Sequence, residues 1–190
     1  MPRLYLVRHG KPTVSWDDAE YPDPGLDEIG HAQAAAMAGE MEAEIAPLGQ
    51  MPIIVSPLRR TRETAAPLET LWGTTAVVDP LVGELQRPKD LATGHGAWLN
   101  EVMSNNYEAL GPELMVFRDR VVGRLLAFET DAVVVTHFVA INAAVGAATG
   151  NDAVISFAPG HCSVTVVEVS DGRLDLVMLG ETGSTAVTPG

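Results

Sequence analysis

Leu4-Tyr5-Leu6-Val7-Arg8-His9-Gly10 sets the pattern of the chain: an apolar run, Leu4 to Val7, breaks off at a basic pair followed by glycine. A continuous rather than alternating apolar run is the pattern of a strand buried on both faces, and the polar residues behind it open a loop at its carboxyl end. The pattern recurs. Ile53-Ile54-Val55 stops at Ser56-Pro57, Ala132 to Val135 stops at Thr136-His137, and Ala76-Val77-Val78 supplies another short strand.

Helical signals lie between these runs. Asp27 is placed to cap a helix running to about Ala46, with Ile29, Ala32, Ala36 and Met37 on one face and Pro47 and Gly49 stopping it. A second helix is expected from about Arg60 to Trp72 with Gly73 behind it, and another from His137 to about Thr149. The resulting order of strands and helices predicts a three-layer α/β/α fold around a mainly parallel sheet. Ser163 to Val169 and Arg173 to Leu179 flank Asp171-Gly172, a hairpin signal, and this hairpin is expected at the sheet edge. Residues 1–180 read as a single domain with a small insertion at about 86–112, and residues 181–190 as a disordered tail.

Composition narrows the function. At 190 residues and 46% hydrophobic, the chain is long enough to bury one core. A formal net charge of -13 argues against nucleic acid or an anionic membrane as a general partner. The lone cysteine, Cys162, excludes an internal disulfide framework and any paired-cysteine metal spacing, which fits a cytoplasmic protein. Arg3 and Arg8 interrupt the start of the chain, so no signal peptide is expected there. The most apolar stretch, Ala132 to Gly150, carries Thr136, His137 and Asn142 and reads as strand plus helix rather than a membrane span.

Of the 12 Lys and Arg residues, seven fall in three short segments: Arg8 and Lys11; Arg59, Arg60 and Arg62; Arg87 and Lys89. An acidic protein that handles an anion must gather its cations in this way. In an open parallel sheet, ligands bind beyond the carboxyl ends of the strands. Those ends present Arg8 and His9, then Arg59 and Arg60, then Glu84 after the third strand, then His137. Taken singly, each is explained as a core histidine or a surface arginine. Taken together, they are the planar donors and the adjacent nucleophile that phosphate chemistry requires.

Leu6-Val7-Arg8-His9-Gly10 resembles the signature of the histidine phosphatase superfamily, also called phosphoglycerate mutase-like. The stretch from Ser56 to Ala65 resembles its second motif, in which a serine and two variable positions precede an arginine, here Arg60. Asp79 to Glu84 resembles the segment carrying the acid, and Val134-Val135-Thr136-His137 the one carrying the second histidine.

The resemblance implies a phosphohistidine mechanism without cofactor or metal. His9 would attack phosphorus, and its other ring nitrogen would be held by an acceptor, for which the backbone near Gly10 is the candidate. Arg8, Arg60 and His137, protonated against the dianion, would grip the phosphoryl oxygens, while Glu84 would protonate the leaving group and later activate water. Ser15 stands where the family often has asparagine, and Phe138 where glycine often follows the second histidine. Both are candidate substrate contacts, and Pro12 and Thr13 alter the first loop. His31 reads as solvent-facing. His95 and His161 read as incidental to catalysis, with His161 the better placed of the two to line a pocket.

The expected activity is therefore hydrolysis of a small phosphorylated metabolite. A phosphoglycerate mutase is the first alternative, disfavoured because Leu85, Phe138 and Val139 stand where mutases carry arginine and a glycine-asparagine pair, and because the insertion from Gln86 to Pro112 is short for a lid. That insertion, with Arg87, Lys89, Trp98 and Tyr107, is either a specificity element or an ordinary helical cap packed by Trp98 and Leu99. An inactive phosphate-sensing or interaction module is the second alternative, disfavoured because no catalytic position is lost. A homo-oligomer is compatible with the sequence.

Overall fold

A computed structural model describes residues 1–14, 23–45, 51–86 and 95–183. The strand runs named above become β1 (Arg3–Arg8), β2 (Ile53–Val55), β3 (Val77–Val78) and β4 (Ala132–Thr136), and the closing hairpin becomes β5 (Val164–Ser170) and β6 (Arg173–Met178). They form one sheet in the order β3-β2-β4-β1-β5-β6. The first four are mutually parallel, with Leu6 and Ile54 both level with Val134. β5 runs antiparallel to β1 and β6 antiparallel to β5, so the hairpin forms one edge as expected.

The helices are α1 (Glu28–Ile45), α2 (Arg59–Trp72), α3 (His95–Met103), α4 (Tyr107–Leu110), α5 (Pro112–Leu126) and α6 (Phe138–Thr149). Side-chain alternation divides the core between the two sheet faces. Val133 and Val135 pack with Met37, Ala38, Ala65 and Leu68 of α1 and α2. Val134, with Leu4 and Leu6, packs against Phe117, Val121 and Ile141 of α5 and α6. Every residue of β4 is buried, as its unbroken apolar run requires.

Local signals behave as their chemistry dictates. The Asp27 carboxylate accepts the Gly30 N–H at 2.7 Å and so caps α1. Gly73 ends α2 with φ 60, the left-handed conformation that glycine adopts without strain.

The insertion contributes α3 and α4 to the larger core, where Trp98, Leu99, Val102 and Tyr107 are buried; Arg87 and Lys89 lie outside the described residues. The tail expected from residue 181 does not begin there. Thr182 bridges to Pro159, and the Gly160 N–H donates to the Glu181 carbonyl at 2.7 Å, so backbone pairing holds these residues; 184–190 lie outside the described residues. Among the described residues, no helix is long and apolar enough to cross a membrane.

Candidate active site

β1, β2 and β4 end at the same edge of the sheet, and this parallel alignment brings together residues far apart in the chain. β1 delivers Arg8 and His9, the start of α2 behind β2 delivers Arg60, and the residue between β4 and α6 is His137. The imidazoles of His9 and His137 stand edge to face with centroids 5.3 Å apart. Arg60 Nη2 lies 3.3 Å from His137 Nδ1. The predicted cluster therefore assembles, with Arg8, His9, Arg60, Glu84 and His137 all below a tenth exposed. Burying two guanidinium groups and one carboxyl in this way is costly unless they face one another or a ligand.

His9 is oriented by its own loop. Its Nδ1 lies 2.8 Å from the Gly10 carbonyl, which can only accept, so Nδ1 carries the hydrogen and Nε2 keeps a free lone pair. That tautomer matches the acceptor expected near Gly10. Burial first, then Arg60, depress the His9 pKa well below the usual histidine value, so the ring is neutral. Thr64 fixes the loop: its hydroxyl accepts the Gly10 N–H at 2.9 Å and donates to the Arg60 carbonyl at 2.7 Å, tying nucleophile to arginine. Gly10 also lies against α1, where a Cβ would come within 2.7 Å of the Gly30 carbonyl oxygen.

His137 is held at both nitrogens. Arginine can only donate, so Nδ1 accepts from Arg60 and Nε2–H donates to Ser56 Oγ at 2.7 Å. Ser56 is itself fixed by the Leu58 N–H at 3.2 Å, and Thr61 Oγ1 donates within reach of the Ser56 carbonyl at 2.9 Å. Burial, His9 and Arg60 hold the His137 pKa well below the usual histidine value, so the ring is neutral in the free pocket, whereas the protonated form is expected against a bound dianion. Only negative charge brought by a phosphoryl group can offset that.

Arg8 donates through Nη1 to the Pro159 carbonyl at 2.7 Å and lies 4.9 Å over the Phe138 ring. Its Nε is buried without a hydrogen-bond partner among the described residues. Burial lowers its pKa to about 10, partly offset by Glu84, so it stays charged at neutral pH.

Glu84 reaches the cluster through the turn after β3. Oε1 accepts the Leu85 N–H at 2.8 Å and Oε2 the Val139 N–H at 3.3 Å, in the first turn of α6. The backbone before it is pinned by the Thr136 hydroxyl donating to the Val82 carbonyl and by Arg120 donating to the Gly83 carbonyl. Burial raises the Glu84 pKa, opposed by the Leu85 N–H, Arg60, the Val139 N–H and Arg8.

The remaining candidates separate. Ser15 lies outside the described residues, and so does the His95 side chain. Arg59 is exposed and pairs with Glu63 at 2.6 Å, as suits a variable position, and His31 is exposed as expected. Sequence reasoning gave no role to Thr64 or Gly30. Thr64 carried a signal, since it stands one helical turn beyond Arg60 on the same face of α2.

Comparison with known proteins follows the same lines. No curated protein sequence matches the chain. Among solved structures, YhfR of Bacillus stearothermophilus superposes with TM-score 0.76 at 19% identity, covering 96% of this chain and 98% of that one. A phosphoserine phosphatase mutant from Entamoeba histolytica in complex with phosphoserine gives TM-score 0.71 at 18% identity, over 95% and 98% of the two chains. The mycobacterial glucosyl-3-phosphoglycerate phosphatase gives 0.68 at 22%, over 96% and 100%. These likenesses establish the fold. The family model "Histidine phosphatase superfamily (branch 1)" matches residues 4–182, and with nearly the whole sequence accounted for, the chain belongs to that superfamily.

Proposed function

We propose that this protein is a cytoplasmic phosphatase that hydrolyses a small phosphorylated metabolite through a phosphohistidine on His9, without metal or cofactor. The observation that carries the reading is the neutral His9, its Nδ1–H bound to the Gly10 carbonyl and its Nε2 free, between Arg8, Arg60 and His137.

In the first step the Nε2 lone pair forms the N–P bond as the ester P–O bond breaks, and the leaving alkoxide takes its proton from Glu84. A carboxyl whose pKa is raised by burial is suited to carry that proton. In the second step water bonds to phosphorus as N–P breaks, and the Glu84 carboxylate takes the water proton. Arg8 and Arg60 offset the charge on the non-bridging oxygens throughout, and His137 joins them once the bound dianion has protonated its Nδ1 and released it from Arg60. The unpartnered Arg8 Nε fits this role, because a buried donor left unmatched costs about 1–3 kcal/mol that an oxyanion removes. Phe138, under the Arg8 guanidinium, walls the same side and is a substrate contact in this reading, as is Ser15.

Release of inorganic phosphate from an aryl phosphate tests the proposal. The wild-type protein should release phosphate with or without chelator, and His9→Ala should lose at least about a thousandfold in rate. An undiminished rate in the variant excludes the nucleophile, and loss on chelation excludes metal independence. With 3-phosphoglycerate, accumulation of 2-phosphoglycerate instead of phosphate would identify a mutase.

A further inference from the structure

The segment entering β5 wraps around the end of β1. The Arg8 N–H donates to the Ser163 carbonyl at 3.2 Å, and the Cys162 N–H donates to the Arg8 carbonyl at 2.9 Å. The Pro159 carbonyl takes the Arg8 guanidinium, and the Ser163 N–H closes the turn on the Gly160 carbonyl at 3.2 Å. Cys162 completes it with φ 58, a conformation that non-glycine residues rarely adopt. The residue this locked turn projects is His161. Its ring centroid lies 5.9 Å from that of His9, and neither of its nitrogens has a hydrogen-bond partner among the described residues.

β5 and β4 flank β1 on opposite sides. Glu84, bound to the start of α6 behind β4, therefore marks the leaving-group side, and His161 the other. We propose that His161 contacts the phosphoryl group directly, as a donor additional to Arg8, Arg60 and His137, and gains a proton when a dianion enters. The inference rests on the phosphatase reading given above.

The charged surroundings agree. His161 faces Arg8 and His9 at the end of β1, Lys11 beyond it, and Asp27 before α1, which pairs with Lys11 at 2.6 Å. Burial, then Arg8 and Lys11, lower its pKa to about 4, with Asp27 opposing. A dianion lodged among those cations reverses the sign of the local field, so the imidazole that resists protonation in the free pocket accepts it in the complex. The turn matters because it holds the His161 backbone beside the end of β1, within reach of the pocket.

Inorganic sulfate is the probe, being a dianion throughout the working range. Its inhibition constant against aryl phosphate hydrolysis is measured for wild type, His161→Gln and His161→Ala at about pH 5 and about pH 7.5. Glutamine keeps a donor but takes no proton. Wild type should bind sulfate about tenfold more tightly than His161→Gln at the lower pH and within about twofold at the higher, with His161→Ala weaker than both at each. Equal constants for the three proteins, or a loss that both variants share equally at both pH values, overturns the proposal. If sulfate fails to compete even in wild type, it is the phosphoryl-site reading that has failed.

Discussion

At the scale of single residues, the proton inventory decides the chemistry. His9 is neutral because burial and Arg60 depress its pKa, and burial raises the Glu84 pKa, which favours the protonated carboxyl that the first step uses. Activity should therefore persist to low pH, where His9 finally protonates, and decline as pH rises through the raised Glu84 value, giving an acidic optimum. In a pH-rate profile Glu84→Gln should lose that alkaline decline. It should cost about 10²–10⁴-fold on alkyl phosphates and far less on aryl phosphates, whose leaving groups need no proton. Ser56→Ala should leave the His137 Nε2–H unmatched, costing about 1–3 kcal/mol in kcat/KM, and the measured loss should appear with the protein still folded. Arg8, His9, Arg60, Glu84 and His137 were legible in the sequence because each follows a strand, and strand ends in a parallel sheet converge. Ser56 and Thr64 stand in the same motif, yet their roles depend on contacts across elements, and no spacing encodes that a hydroxyl on α2 will meet the backbone after β1.

At the scale of elements, the nucleophile loop is positioned by backbone packed on backbone. A Cβ on Gly30 would fall 2.2 Å from the Lys11 carbonyl oxygen, so α1 approaches the loop after β1 only because that residue is glycine. Gly30→Ala should push the loop off α1. Its kcat should fall more than tenfold and its Tm by several degrees, whereas Gly39→Ala, in the same helix and with an added methyl that meets nothing within 4 Å, should leave kcat unchanged and raise Tm slightly. Most elements were readable: apolar runs gave β1, β2 and β4, Asp27 and Gly73 gave helix ends, and Asp171-Gly172 gave the edge hairpin. The pairing of Thr182 with Pro159 was not, because a single bridge of irregular backbone leaves no periodic pattern. Whether α3 and α4 pack as a cap or choose substrate was equally hidden, since Trp98 and Tyr107 serve core and binding surfaces alike.

At the scale of the whole molecule, an acidic chain concentrates buried cations at one sheet edge, and stability should register the cost. Unfolded histidines titrate near 6.5, whereas buried His9 and His137 titrate well below it. The unfolded chain therefore binds more protons as pH drops below that value, and stability falls with it. Glu84 works in the opposite sense, losing stability as pH rises above its ordinary value, but it is one group against three, since His161 is depressed as well. Thermal unfolding should show Tm rising from about pH 5 to about pH 7, with a shallower rise in His137→Asn. A flat profile in both would mean these imidazoles are not held neutral. The central claim is chemical and is tested most directly by quenching the enzyme with a labelled phosphate ester within the first turnover. The account predicts protein-bound phosphate, labile to acid and stable to alkali, on the peptide carrying His9. Phosphate released at full rate with no label on the protein, or label on another residue, would contradict it.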